Sequence, residues 1–395
     1  MKDFRPDILK FLDKKSTSNF LKLVKDTKDN KCSLVFGAGV AASVGLPVWD
    51  TLIIKICLAY YYHWIFDIVH KKNITYENPP TNTPMGFTQA YDFYLQKKRL
   101  QELLDTMKVS FKIVNKTTQI YINEKLLSPS KTAASEKFYN DWQKKIDENI
   151  ESFMEKVKDF DPILIAQMIK NRIRITDWNY LVRKCLYSSY EDSPYKITSS
   201  ELFKALIELI KTIDISEIIN LNYDDTFYHI LRKNNLNFKN IYSEISFKNS
   251  VKRIYYPHGY LPLYGGVVTK LILSEEDYQE ESFKFDNWAN NMQSSIYNNS
   301  SCIFIGLSLT DPNLRRILKS CTKSLKFNHY AFLPTDNQNK SKTQIMIDSL
   351  FNEDLNRLGI KVIRYPLINK SDRYCKLPYL INFLTRVLNN EIQLF

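Results

Sequence analysis

Ser33-Leu34-Val35-Phe36-Gly37-Ala38-Gly39-Val40 sets a short apolar run against a pair of glycines. The chain has only nine glycines in 395 residues, so two of them one residue apart mark a position that needs a bare backbone. A run this short, apolar on both faces, suits a strand buried on both sides of a parallel sheet. Glycines at its carboxyl end let a dinucleotide's pyrophosphate approach the turn, and the helix that follows offers its unpaired N–H groups and positive dipole end. The next glycine, Gly45, stands six residues beyond Gly39 and opens Gly45-Leu46-Pro47-Val48-Trp49. That spacing is not the strict G-x-G-x-x-G of dehydrogenases, so for this segment alone a tight βα turn without ligand stays open.

Further short apolar runs end in turn residues. They are Ile218-Ile219-Asn220-Leu221 before Asn222, Ile254-Tyr255-Tyr256 before Pro257-His258-Gly259, and Cys302-Ile303-Phe304-Ile305 before Gly306. Tyr330 to Leu333 and Lys361 to Tyr365 follow. Helical periodicity lies between them, in Leu202, Phe203, Leu206, Ile207, Leu209 and Ile210, and again in Leu314, Ile317 and Leu318. Strands alternating with helices predict an α/β, Rossmann-like doubly wound parallel sheet. No glycine occurs between Gly86 and Gly259, and helical segments (Asp141 to Val157, Ile163 to Ile173) alternate with polar stretches there. Residues 62–198 are therefore expected to be a large, mainly helical insertion. The α/β domain takes 31–61 and 199–395, and 1–30 an N-terminal helical extension.

Bulk composition is ordinary for a globular protein, with 44% hydrophobic and 25% charged residues. A formal net charge of +12 is spread thinly along a Lys-rich chain, so nucleic-acid binding is left uncertain. The six cysteines, at 32, 57, 185, 302, 321 and 375, form no C-x-x-C pair; no metal site is expected, and the spacing favours a reducing compartment. Met1 to Lys31 lacks the apolar core of a secretory signal. Leu52 to Val69 is apolar but carries Lys55, His63 and Asp67, which reads as a core helix and not a membrane span. A cytoplasmic protein with no membrane partner is expected.

Chemistry concentrates at the strand ends. In Leu221-Asn222-Tyr223-Asp224-Asp225 an amide and a carboxylate stand where open α/β sheets bind ligands, although an Asx turn capping the next helix explains them equally. Of five histidines, His258 alone follows a strand directly and is placed for proton transfer; His63, His70, His229 and His329 read as packing or surface residues. In Gly306-Leu307-Ser308-Leu309-Thr310-Asp311-Pro312, Gly306 leaves room for a ligand and Ser308 and Asp311 offer polar partners. Asp311 before Pro312 is also a helix N-cap with proline at N1, and both roles are compatible.

The order G-A-G-V … G-L-P-x-W, then N-Y-D, then H-G, then F-I-G-L-S-L-T-D-P-N-L-R-R resembles the sirtuin-like domain of bacterial anti-phage defence proteins. Leu273-Ser274-Glu275-Glu276-Asp277-Tyr278 fits the same pattern. The resemblance covers roughly 31 to 56 and 200 to 395.

It implies an NAD+ hydrolase that cleaves the nicotinamide–ribose bond, with NAD as substrate and no metal, and that depletes NAD in abortive infection. On that resemblance Asn222 and His258 are the catalytic amide and base, and Asp224 holds the nicotinamide amide. Gly37, Ala38, Gly39 and Val40 cradle the pyrophosphate, and Ser43, Pro47 and Trp49 complete that motif. Gly306, Ser308 and Asp311 border the adenosine half. Family members often carry serine directly after G-A-G-V, where this chain has Ala41, with Ser43 two places on. The four-cysteine zinc ribbon of sirtuin deacylases is not in the sequence, which favours hydrolysis over deacylation. The family also implies a homo-oligomer and, as in the sirtuin-like subunit it is similar to, a HerA-type ring ATPase partner. An NAD-dependent deacylase or ADP-ribosyltransferase, and a non-catalytic nucleotide sensor, are the competing readings.

Overall fold

The computed structural model describes residues 11–57, 59–60, 110–114, 117–121, 156, 159–190, 200–244, 252–283, 287–324, 326–335, 341–367 and 376–392. In chain order the elements are α1 (Lys14–Asp29), β1 (Cys32–Phe36), α2 (Ala38–Ala42), β2 (Ser110–Val114), β3 (Thr117–Tyr121), α3 (Pro162–Lys170), α4 (Ile175–Leu186) and α5 (Glu201–Thr212). Then come β4 (Glu217–Asn220), α6 (Thr226–Lys233), β5 (Phe238–Ile241), β6 (Lys252–Tyr255), α7 (Glu275–Phe283), α8 (Trp288–Asn299) and β7 (Ser301–Ile305). The chain closes with α9 (Pro312–Cys321), β8 (His329–Thr335), α10 (Lys342–Arg357), β9 (Ile360–Pro366) and α11 (Leu377–Leu388).

Two compact units divide these elements. One comprises Met1–Val48, Ser189–Ile272 and Asp277–Phe395, the other Trp49–Ser188 and Leu273–Glu276. The first holds a seven-stranded sheet in the order β5-β6-β4-β1-β7-β8-β9, with every pairing parallel. This is the doubly wound, Rossmann-like α/β fold. β1 sits at the centre and is buried along its whole length, which is why its sequence is uniformly apolar.

Alternation along β1 feeds two cores. Val35 joins a cluster with Ile296, Tyr297, Leu314, Ile317 and Leu355, so α8, α9 and α10 cover one face. Phe36 turns the other way, edge-on to Phe227 at 4.9 Å, and Phe227 meets Phe203 at 5.0 Å, so α5 and α6 cover the opposite face. α1 belongs to this unit: Phe20 stacks on Phe383 of α11 at 5.7 Å, and the Asn19 side-chain amide donates to the Val362 carbonyl of β9 at 2.8 Å.

β5 was not among the sequence-expected strands. Its Phe238-Lys239-Asn240-Ile241 has two polar residues inside, because it is an edge strand with partly exposed positions. The second unit contains an antiparallel β2–β3 ribbon and helices α3 and α4. Asp141 to Val157 lies outside the described residues except at 156, as do His63 and His70. No helix among the described residues is long and apolar enough to cross a membrane.

Candidate nucleotide site at the switch point

Strand order reverses around β1, with β4 on one side and β7 on the other, and the carboxyl ends of these three strands bound the crevice where open α/β sheets take ligands. Three turns leave those ends. β1 runs into Gly37, β4 into Leu221-Asn222, and β7 into Gly306.

Backbone bonds lock the turns together. Gly37 N–H donates to the Ile305 carbonyl at 3.0 Å, and Gly39 N–H to the Gly306 carbonyl at 2.8 Å. Leu221 N–H donates to the Phe36 carbonyl at 2.9 Å. A Cβ on Gly37 would stand 2.5 Å from the Leu307 side chain and 2.7 Å from the Gly306 oxygen. Gly37 is thus demanded first by the approach of one turn to the other. The expected phosphate cradle is also partly spent, since Gly39 N–H serves Gly306 and Val40 N–H serves the Gly37 carbonyl at 2.9 Å. α2 is only five residues long, with Ala38 in its first turn.

Asn222 joins this cluster. Its side-chain amide donates to the Gly37 carbonyl at 2.9 Å, leaving the side-chain oxygen as the acceptor end. The turn that carries it is shaped by Asn220, a residue sequence reasoning missed. The Asn220 oxygen accepts from Asn222 N–H at 3.2 Å, and its amide donates to the Asp224 carbonyl at 3.0 Å. An amide closing a strand was the available signal.

Asp224 is buried. One carboxylate oxygen accepts from the Thr226 N–H at 3.1 Å and from the Thr226 hydroxyl, the Asx turn at the start of α6. The other oxygen is buried with no hydrogen-bond partner among the described residues. Burial pushes this carboxyl up to about 6, against the Thr226 hydrogen bonds that pull it down. Asp225, also unassigned from sequence, accepts from the Leu263 N–H at 2.8 Å and the Tyr260 hydroxyl at 3.2 Å, tying the loop beyond His258 to α6.

His258 is held from both sides. Its carbonyl accepts from Ile272 N–H at 2.8 Å, and the Tyr223 hydroxyl donates to the Ile272 carbonyl at 2.7 Å. Gly259, at φ +106°, has no room for a side chain because Lys270 passes it with a carbonyl 2.4 Å from where a Cβ would be. The Leu221 backbone, next to Asn222, acts on the imidazole and favours its protonated form. Nε2 is buried without a partner among the described residues. Burial lowers the imidazole's proton affinity, and the Asp311 charge and the Leu221 backbone oppose that only in part.

The remaining expected residues take local structural roles. Asp311 is the N-cap of α9, accepting from Leu314 N–H at 2.6 Å, and its other oxygen accepts from Tyr278 at 2.9 Å. Ser308 is exposed and pairs with the Thr310 hydroxyl at 2.7 Å. Leu309 holds φ +61° with its side chain buried, an unusual conformation for leucine that Arg315 supports by donating to its carbonyl at 3.1 Å. The Ser43 hydroxyl donates to the Val40 carbonyl at 2.7 Å and lies 2.8 Å from that of Ser200, so it fastens the turn to the start of α5. Pro47 is half-buried at the edge of the first unit, and Trp49 opens the helical stretch 49–57 of the second.

A surface hollow lined by Thr27, Lys31, Thr212, Asp214 and Asn390 lies at the amino end of β1, away from all of this chemistry. The five described cysteines are buried and form no disulfide among the described residues. No group of three or more His, Cys, Asp or Glu that could hold a metal occurs among the described residues.

Fold and site together define a Rossmann-like α/β protein whose polar strand-end turns meet at its switch point. Residues 216–359 match the family model described as SIR2-like domain. The matched stretch is about a third of the chain and contains Asn222, Asp224, His258, Tyr278, Gly306 and Asp311, while the Gly37 turn precedes it. The match supports a sirtuin-like family and NAD-related activity. No curated protein matches the chain.

Proposed function

We propose that the chain is an NAD+ glycohydrolase. The observation that carries this reading is that Asn222, fastened to Gly37, leads into Tyr223, whose carbonyl accepts from Leu261 N–H at 2.8 Å on the loop just beyond His258. Two buried polar atoms, His258 Nε2 and one Asp224 oxygen, have no partner among the described residues there.

The chemistry asks little of the protein beyond position and charge. The C1′–N bond breaks with its electron pair going to the pyridinium nitrogen, so nicotinamide leaves neutral and the ribose carbon turns cationic. Water then forms the C1′–O bond, and its proton goes to His258 Nε2 or to solvent. The products are nicotinamide, ADP-ribose and a proton. Asn222 orders the water or the ribose through its free oxygen, and the orphan Asp224 oxygen accepts from the nicotinamide carboxamide. The glycine turn and the Gly306–Asp311 loop border the diphosphate and adenosine. Unchecked, this reaction would drain a cell of NAD. We therefore extend the proposal to control by self-association and by a HerA-type ring ATPase, in abortive anti-phage defence in the cytoplasm.

Purified protein incubated with NAD+, alone and with candidate partners, should release nicotinamide and ADP-ribose in equal amounts. Asn222→Ala and His258→Ala should each lower turnover by about 100-fold or more at unchanged folding. Nicotinamide release that requires an acylated peptide would move the assignment to deacylation. Tight NAD binding with no turnover under any condition would leave a sensor.

A further inference from the structure

Tyr278 has no part in the chemistry above, yet it touches both His258 and Asp311, the carboxylate whose charge acts on the imidazole. The tyrosine ring packs edge-on against the imidazole, centroids 6.2 Å apart at 65°. Its hydroxyl donates to one Asp311 oxygen at 2.9 Å while the other oxygen caps α9 at Leu314 N–H, 2.6 Å away. Both lobes of the carboxylate are therefore occupied, although its charge still acts on the imidazole. The tyrosine is itself fixed, because its neighbour Asp277 is fully buried and pairs at 3.5 Å with Lys270, on the segment that runs past Gly259.

We infer that Tyr278 is a positioning residue for His258: its hydroxyl claims the Asp311 oxygen that would otherwise draw a proton onto the imidazole, so the ring stays neutral with Nε2 unencumbered. The inference rests on the proposed role of His258 only for its effect on turnover, not for its effect on the imidazole.

The groups facing His258 are Asp311 from the loop before α9, Tyr278 from α7 and the Leu221 backbone beyond β4; Asp277 and Tyr223 stand next to Tyr278. Freed of its tyrosine, Asp311 attracts the imidazolium more strongly, which raises the proton affinity of His258. Burial of the ring has the opposite effect and is preserved when phenylalanine replaces tyrosine.

The test follows the imidazole directly. Protein labelled with 15N-histidine is titrated as wild type, Tyr278→Phe, Asp311→Asn and the double variant, with His258→Gln assigning the resonance. Tyr278→Phe should raise the His258 midpoint by about one pH unit, a tenfold change in proton affinity. In the Asp311→Asn background the same change should leave the midpoint where it was. The acid limb of kcat/KM for nicotinamide release should move upward by the same amount, with KM little altered. An unchanged midpoint in folded Tyr278→Phe overturns the inference, as does an equal rise in the Asp311→Asn background. Should Tyr278→Phe fail to fold, Asp311→Asn alone decides: a lower midpoint supports the coupling and an unmoved one refutes it. If wild type proves inactive on NAD+, the titration still judges this inference, and the glycohydrolase reading alone falls.

Discussion

Gly306 accepts a hydrogen bond from Gly39 N–H at 2.8 Å while holding φ +69°, so the turns after β7 and β1 meet backbone to backbone. A Cβ at 306 would lie 2.5 Å from Val40 N and 2.9 Å from the Gly39 carbonyl carbon, and neither can yield without moving the turn. Gly306→Ala is expected to destabilise the first unit by about 2–3 kcal/mol, combining the left-handed backbone with this collision. Urea unfolding measures it; a loss below about 0.5 kcal/mol would mean that the two turns are not packed in this way.

Asp224→Asn should stabilise the protein at neutral pH. The carboxyl is raised from an ordinary 3.8 to about 6, so the folded state holds its proton more tightly than the unfolded chain. Stability from this group is complete below pH 4, falls as pH rises toward 6 and stays low above it. Asparagine still accepts from Thr226 and has nothing to ionise. The gain is expected to be on the order of 2–3 kcal/mol at pH 7.5 and near zero at pH 4. Denaturant midpoints for both proteins at the two pH values provide the check, and an equal gain at both would remove the ionisation argument. Nicotinamide release should fall in the same variant.

His329 imposes the opposite slope. It is fully buried, Nδ1 accepts from Cys302 N–H at 3.2 Å, and burial lowers the imidazole to about 4. A depressed histidine contributes stability above its unfolded value near 6.5, and that contribution is lost as pH falls toward 4. Asparagine at 329 keeps an acceptor for Cys302 but loses the ring packed 6.0 Å from Tyr297 and 6.1 Å from Phe304. His329→Asn should be less stable at pH 8, while its deficit against wild type narrows by about 3 kcal/mol on going to pH 4. A deficit constant with pH would show that His329 does not titrate on unfolding. Because Asp224 and His329 act in opposite directions over the same range, each slope shows only as a difference from wild type.

The central strands were legible because burial on both faces writes itself as an unbroken apolar run, as in Ser33 to Phe36 and Cys302 to Ile305. Phe238 to Ile241 was not, since an edge strand can keep Lys239 and Asn240 in solvent. The Asx turn at Asp224 and the cap at Asp311 could be read from local spacing, because both are bonds within three residues. Long-range partners carry no such spacing. Nothing in the sequence ties Asn222 to Gly37, 185 residues away, or Tyr278 to Asp311 and His258. The sequence marks Gly37 and Gly306 for ligand approach, whereas the folded packing gives each a cause of its own, the Gly37–Leu307 and Gly306–Val40 approach.

β1 pairs on one side with β4 and on the other with β7. During synthesis the strand bearing Gly37 therefore emerges early and must wait until residue 305 before its second flank can zip. A growing polypeptide holds the glycine turn, then the amide, then the imidazole, but β1 lacks its second flank until the ribosome has made Ser301 to Ile305. Such late closure slows folding. It also means that a translation product halted before Ser301 carries every group of the Asn222–His258 pair without the strand that brings Gly306 against Gly39.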